Sequence, residues 1–265
     1  MTADGNASLG GTVYFVGAGP GAVDLITLRG RALIEAADLL IFADSLVNAA
    51  HGDHARSGAR VVGSSSMTLD ELAALMVEAA RRGETVVRLQ SGDPTVYGAL
   101  HEQLAALRGA GVHCEVVPGV SSAFAAAAAL GIELTVPGVA QTVILARAQG
   151  RASAVPEAES LRSLAAHGAT MALFLSAGII DQAVADLIEG GYAADTPAAI
   201  VSRVSWDDEQ LIYCALHEVP ATMQAAGLTR TVMVLIGIAI GTDERDARSR
   251  LYDRSYTHRF REGAQ

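Results

Sequence analysis

Three glycine-bearing segments carry most of the chemistry this chain could perform: Val16-Gly17-Ala18-Gly19-Pro20-Gly21, Ser91-Gly92-Asp93-Pro94 and Pro118-Gly119-Val120-Ser121-Ser122. Glycine lets a chain turn tightly and lets a ligand approach the backbone. Each segment follows a short apolar run, which places it at the carboxyl end of a strand, where open parallel sheets bind ligands. Taken singly, each has a plainer reading. The first is a glycine turn, the second a helix cap by Asp93 ahead of Pro94, the third a cap by Ser121. Three such loops on one sheet edge point to a small-molecule site. The first loop also meets the G-x-G-x-x-G/A pattern of dinucleotide folds, with Ala22 in the last place. Against that, Pro20 deletes one N–H from the loop that would cradle a pyrophosphate, and helical spacing begins only near Thr27. A nicotinamide-dependent oxidoreductase, or a nucleotide-binding regulatory module, therefore stands as the alternative reading.

Other residue types narrow the chemistry further. All 19 basic residues are arginine. No Schiff-base lysine and no P-loop lysine is available. The two cysteines, Cys114 and Cys214, form no Cys-x-x-Cys pair and have no histidine cluster beside them. A disulfide framework is excluded by count, no metal is expected, and the usage fits a reducing cytoplasm. The net charge of -10 argues against a nucleic-acid partner. A local arginine patch could still hold an anion, and Arg29, Arg31, Arg88, Arg147, Arg151 and the six arginines of residues 242–265 are candidates. Asp44, at the end of a predicted strand, is the candidate for moving a proton, with a turn or cap carboxylate as its simpler role.

The elements that must position these residues follow from hydrophobic periodicity. Short apolar runs predict strands at residues 12–17, 38–42, 60–62, 85–89 and 113–117. Helical spacing predicts helices at 28–37, 69–82 and 96–107, and a very alanine-rich helix at 121–130. Alternation of this kind builds a mostly parallel sheet covered on both faces. The pattern restarts after Pro137-Gly138, with strands at 142–147, 170–175, 198–201, 210–215 and 231–238 and helices near 159–166 and 179–190. The last three strands have little helix between them, so antiparallel pairing is expected there. The expected fold is α/β in two domains, 11–120 and 121–241, followed by a charged tail at 242–265. The first eleven residues lack the apolar core of a signal peptide. The longest apolar runs, such as 231–241, reach only about half of the ~20 residues a membrane helix needs.

In order along the chain, VGAGPG, DLITLRG, Ala43-Asp44-Ser45-Leu46-Val47, SGDPTVYG, PGVSS, Leu134-Thr135 and Phe174-Leu175-Ser176 resemble the tetrapyrrole methylase family over residues 12–240. The resemblance implies two α/β domains, a mostly parallel N-terminal sheet, a mixed C-terminal sheet and a ligand cleft between the domains. It implies S-adenosyl-L-methionine as the methyl donor and a homodimer as the assembled state. The cofactor would be touched by Pro20, Ser91, Gly92, Asp93, Val96, Ser121, Ser122, Leu175, Val204 and Thr231. Within the family, residues 44–48, 118–122, 141–145, 249–253 and 257–261 are similar to members that methylate a ring carbon of a corrin precursor in cobalamin biosynthesis. Uroporphyrinogen-type relatives carry a lysine in the stretch aligned with residues 63–66. Ser64-Ser65-Ser66 stands here instead, which removes one candidate proton donor.

Overall fold

A computed structural model of the chain describes residues 10–150, 154–242, 249 and 253–263. The chain divides into two compact units. The first runs through Ala125 and includes Arg203–Asp208; the second holds Ala126–Ser202 and the residues from Glu209 onward.

The first unit is built on β1 (Thr12–Gly17), β2 (Leu39–Phe42), β3 (Arg60–Gly63), β4 (Val86–Gln90) and β5 (His113–Val117). All pairings are parallel, in the order β3-β2-β4-β1-β5. Every residue of β2 and β4 is buried, as expected for strands covered on both faces. One face packs Val13, Phe15, Ile41 and Val86 against α2 (Leu69–Arg81) and α3 (Leu100–Gly109). The other packs Val16, Leu40, Val87 and Leu89 with Ile34 of α1 (Leu28–Ala36). Helix starts are fixed locally. Thr27 accepts from the Gly30 amide, and Thr68 with Glu71 forms a reciprocal capping box. Because the sheet is parallel, all five strands deliver their carboxyl ends, and hence their loops, to one edge.

The second unit holds β6 (Val143–Arg147), β7 (Thr170–Phe174), β8 (Pro197–Ser202), β9 (Gln210–Ala215) and β10 (Val232–Ile236), in the order β6-β7-β10-β8-β9. Only β6 and β7 run parallel; the other pairs are antiparallel, so this sheet is mixed, as the pattern predicts. Its core gathers Met171, Leu173, Ile200 and Val234 with Ala183, Val184 and Leu187 of α6 (Ile180–Gly190), Leu161 and Ala165 of α5 (Leu161–Ala165), and Val219 and Met223 of α7 (Val219–Ala225). The alanine-rich α4 covers Ser122–Leu130.

Three elements depart from expectation. The helix predicted to begin at residue 96 begins at Leu100, after Tyr97 and Ala99 have both entered left-handed backbone (φ 53° and 50°). Asp93 does not cap it; its carboxylate is engaged elsewhere, as shown below. The short helix α7 and a 3-10 turn at Ala49–His54 were not anticipated. Among the described residues, no helix is long and apolar enough to cross a membrane, and no cluster of potential metal ligands occurs.

Candidate functional site

Three of the five strand ends meet through glycine backbone. Gly17 ends β1, Gly92 follows β4 and Gly119 follows β5, and these strands are neighbours in the sheet. A Cβ on Gly17 would stand 2.5 Å from the Gly119 Cα, and one on Gly119 would stand 2.1 Å from the Gly92 carbonyl oxygen. Both are far inside van der Waals contact, so these positions admit only glycine. Gly92 is different. Its φ is +64°, and the nearest atom to an added Cβ would be 3.7 Å away, on Ser121. Conformation, not space, requires glycine there.

The loops are then tied by hydrogen bonds. Gly19 and Gly92 exchange both backbone bonds (Gly92 N to Gly19 O 2.8 Å; Gly19 N to Gly92 O 3.3 Å). One Asp93 carboxylate oxygen accepts from the Gly119 amide (2.9 Å); the other accepts from the Thr95 amide (2.8 Å) and hydroxyl (2.5 Å). Partial burial pushes the Asp93 carboxyl up, but these bonds outweigh it and leave the pKa below its ordinary value. The carboxylate thus clips the second loop to the third, and what Asp93 offers a ligand is the placement of the loop.

The first loop is braced by the segment Arg203–Asp208. The Trp206 indole donates to the Pro20 carbonyl (3.2 Å) and packs against Gly21. Ser205 accepts from the Ala22 amide (3.0 Å), and Val204 lies at the same point, its carbonyl 2.9 Å from where a Gly21 Cβ would be. Arg203 stacks over Trp206 and pairs with Asp208. Trp206 and Ser205 escaped the sequence reading. The only hint was that the chain's single tryptophan lies two residues from Val204.

This bracing decides what the first loop can bind. The amides of Ala18, Gly19 and Ala22 all donate within the protein (to Gln90 O, Gly92 O and Ser205 Oγ), and Pro20 has none. A pyrophosphate cradle needs those donors free. The neighbouring loops add the Ser91, Ser121 and Ser122 hydroxyls, and the cation beside the first loop, Arg203, is engaged with Trp206 and Asp208. The first loop is therefore not built as a pyrophosphate cradle.

Beside these loops, on the β2–β3 side of the same edge, the site is built from side chains. Asp44 is exposed, two residues beyond β2. Ser65 donates to both its oxygens, from the hydroxyl (2.8 Å) and the amide (2.9 Å). These bonds, the hydroxyl foremost, hold the Asp44 carboxyl below the usual range. Gly63 clears the space, since a Cβ there would come within 2.9 Å of the carboxylate. Thus the Ser64–Ser65 turn, through Ser65, is what receives Asp44. Arg88 of β4 is not a solvated arginine awaiting a ligand carboxylate; it is 7% exposed. Its Nη1 donates to Ser64 Oγ (2.8 Å) and its Nε to Gln103 Oε1 (3.4 Å).

Of the remaining expected site residues, Leu175 and Thr231 belong to the second unit. Both adopt left-handed backbone (φ 53° and 55°), and the Leu175 side chain is 68% exposed at the end of β7. A β-branched residue at positive φ is a strained outlier, and strain of this kind concentrates at functional positions. Arg29 and Arg31 are committed to Glu115 and Glu35. Arg147 donates to the Ala154 carbonyl. Arg151 and the tail arginines Arg245, Arg248 and Arg250 lie outside the described residues.

The family model of the Tetrapyrrole (Corrin/Porphyrin) Methylases matches residues 12–220. The chain belongs to this family. A tetrapyrrole methylase from Methanocaldococcus jannaschii, the cobalt-precorrin-4 C(11)-methyltransferase, is 44% identical over 249 residues, covering 94% of this chain and 95% of the relative. The precorrin-4 C(11)-methyltransferase of Rhodococcus erythropolis is 45% identical over 232 residues, 88% and 93% of the two chains. Among solved structures, that of the cobalamin biosynthetic enzyme cobalt precorrin-4 methyltransferase superposes with a TM-score of 0.83 at 42% identity, covering 86% of this chain and 95% of that one. Tetrapyrrole methylases use S-adenosylmethionine.

Proposed function

We propose that the chain is an S-adenosyl-L-methionine-dependent C-methyltransferase of corrin biosynthesis that methylates precorrin-4, or its cobalt form, at C11 to give the corresponding precorrin-5. The observation that carries this reading is the 44–45% identity, over nearly the full length of both chains, to relatives named for that reaction. Relatives at 44% and 45% identity bear the cobalt and the metal-free name respectively, so both ring forms are substrates to test.

The bound cofactor supplies an already activated sulfonium methyl. The chain's own work is to hold reactants in line, and orientation of this kind can lower a barrier by up to about 7–11 kcal/mol. The residues assigned to the cofactor are Pro20, Ser91, Gly92, Asp93, Val96, Ser121, Ser122 and Val204, and, by family resemblance, Leu175 and Thr231. The consumed amides of the first loop favour this ligand over a nicotinamide dinucleotide. The substrate's ring carbon is enamine-like and needs no strong base to attack. Asp44 handles the proton released from the macrocycle, as a carboxylate kept ionised by Ser65. The reading includes a homodimer working in the cytoplasm without nucleic acid or membrane.

The test is turnover of precorrin-4 and cobalt-precorrin-4 with the cofactor labelled at its methyl, followed by mass spectrometry and carbon NMR. The expected product gains one labelled methyl at C11. Methylation at another ring carbon, or tight NADPH binding without any S-adenosylhomocysteine binding, overturns the reading.

A further inference from the structure

Arg88 sits where simple packing would favour an apolar side chain. It lies in β4, the middle strand of the first sheet, and its register partners on either side are Ile41 and Phe15, both fully buried. A cation placed there is costly, and apolar replacement of buried charges is often neutral or stabilising. Among the described residues no carboxylate forms an ion pair with it; its hydrogen-bond partners are the neutral Ser64 and Gln103. A charge kept at such a position without an ion pair calls for a reason beyond packing.

The geometry supplies one. Ser64 is buried, and its hydroxyl accepts from Arg88 Nη1 while donating to the Phe42 carbonyl (3.2 Å). Phe42 ends the strand that leads into Asp44, and the Ser64 amide also donates to its carbonyl (3.0 Å). The next residue, Ser65, makes both contacts to the Asp44 carboxylate. One hydroxyl therefore couples the guanidinium to both ends of the Asp44 setting: the strand end it leaves and the turn that receives it. We propose that Arg88 is a positioning residue for Asp44, acting through the Ser64–Ser65 turn. The Asp44 charge in turn favours the ionised guanidinium, against the burial that lowers its pKa to about 10. The proposal rests on the proton-handling role proposed for Asp44, but its geometric half can be tested without it.

Two readouts on the full-length protein separate the two. The first is the amide signal of Ser65 in a nitrogen–proton spectrum. Arg88→Met, an apolar near-isostere, is expected to shift this signal and speed its exchange, and Arg88→Lys to restore part of the wild-type behaviour. The second is the single-turnover methylation rate in a double-mutant cycle with Asp44→Asn. Arg88→Met is expected to slow the step by about tenfold or more, with the S-adenosylhomocysteine Kd unchanged within about twofold; combined with Asp44→Asn it should add almost nothing to the larger single effect. If Arg88→Met fails to fold, Ser64→Ala removes the same link and is expected to behave alike. A Ser65 amide that does not respond to either substitution, or rate losses that multiply in the double variant, overturns the proposal. An Asp44→Asn protein at full rate while the Ser65 amide still responds to Arg88→Met removes the catalytic role of Asp44, and with it the functional half of the proposal, and leaves the Arg88–Ser64–Ser65 geometry standing.

Discussion

Along the carboxyl edge of the first sheet, the β4–β1–β5 side and the β2–β3 side are held by different forces. On the first, Gly17, Gly92 and Gly119 touch backbone to backbone, and Asp93 clips two of the loops together. On the second, Asp44, Ser64 and Ser65 are held by side-chain hydrogen bonds and anchored to one buried cation, Arg88 of the adjoining β4. Sterics fixes the former to within fractions of an ångström, because interiors are close-packed and backbone cannot yield cheaply. Electrostatics fixes the latter, where a partner can be exchanged at moderate cost. The division suits the proposed reaction: a cofactor whose position must not vary, beside a group that handles a proton.

The sharpest way to break this contrast is Gly119→Ala. The added methyl would stand 2.1 Å from the Gly92 carbonyl oxygen, so the second and third loops must separate. Overpacking of this severity is expected to cost about 3 kcal/mol or more, and to abolish S-adenosylhomocysteine binding. Urea unfolding and calorimetry measure the two effects. A wild-type midpoint would show that the loops are not locked by contact.

Asp44→Asn examines the other side. The amide keeps the size but cannot accept a proton, and its NH2 cannot accept the Ser65 hydroxyl. Turnover is expected to fall about 100-fold or more, with cofactor affinity nearly unchanged. A single-turnover rate within about threefold of wild type would reduce Asp44 to a turn residue.

Gly92→Ala refines the steric side. Here the new Cβ has ordinary clearance of 3.7 Å, and only the positive φ resists it. The expected loss is about 1–2 kcal/mol, smaller than at Gly119 although both glycines belong to the same motif set. Equal losses at the two positions would mean that the distinction between conformation and space is wrong.

How much of this was legible beforehand depends on the range of the interaction. β1, β5 and β9 begin and end where the apolar runs do, because strand signals are local. The start of α3 was misplaced because Asp93-Pro94 reads as a local cap, while the carboxylate is claimed by Gly119, 26 residues away. The glycine loops were found by their spacing, but which glycine is required for space and which for φ depends on three strands meeting. Trp206 and Ser205 reach the first loop across more than 180 residues, which no window along the chain can show. The sequence places Arg88 among the candidate anion-holding arginines; its burial follows from its position in the middle strand of a sheet covered on both faces, where every residue of β4 is buried.

The smallest expected effect separates the two sides by pH. His51 is 1% exposed, and neither ring nitrogen makes a hydrogen bond of normal geometry. Burial is the main cause that lowers its pKa below 6.5; the nearby Ala18 backbone of the first glycine loop partly opposes this, and His54 adds to it. The folded protein therefore keeps His51 neutral where the unfolded chain would protonate it. The unfolded state binds more protons, so the contribution of His51 is present above pH 6.5 and is lost as pH falls below it. Asp44 and Asp93 behave differently. Their pKa values are lowered from 3.8, so what they contribute persists until the pH falls below 3.8. Mild acid should therefore loosen the support behind the first glycine loop while the Asp44–Ser65 contact is still intact. Unfolding free energy measured from about pH 7.5 down to about pH 5.5 should decline in the wild-type protein and decline less in His51→Leu. Over the same interval the Ser65 amide should hold its chemical shift in both. An identical pH slope in the two proteins would show that His51 is not the responsible group. A Ser65 signal that moves together with the loss of stability would mean that the two sides of the edge do not respond independently.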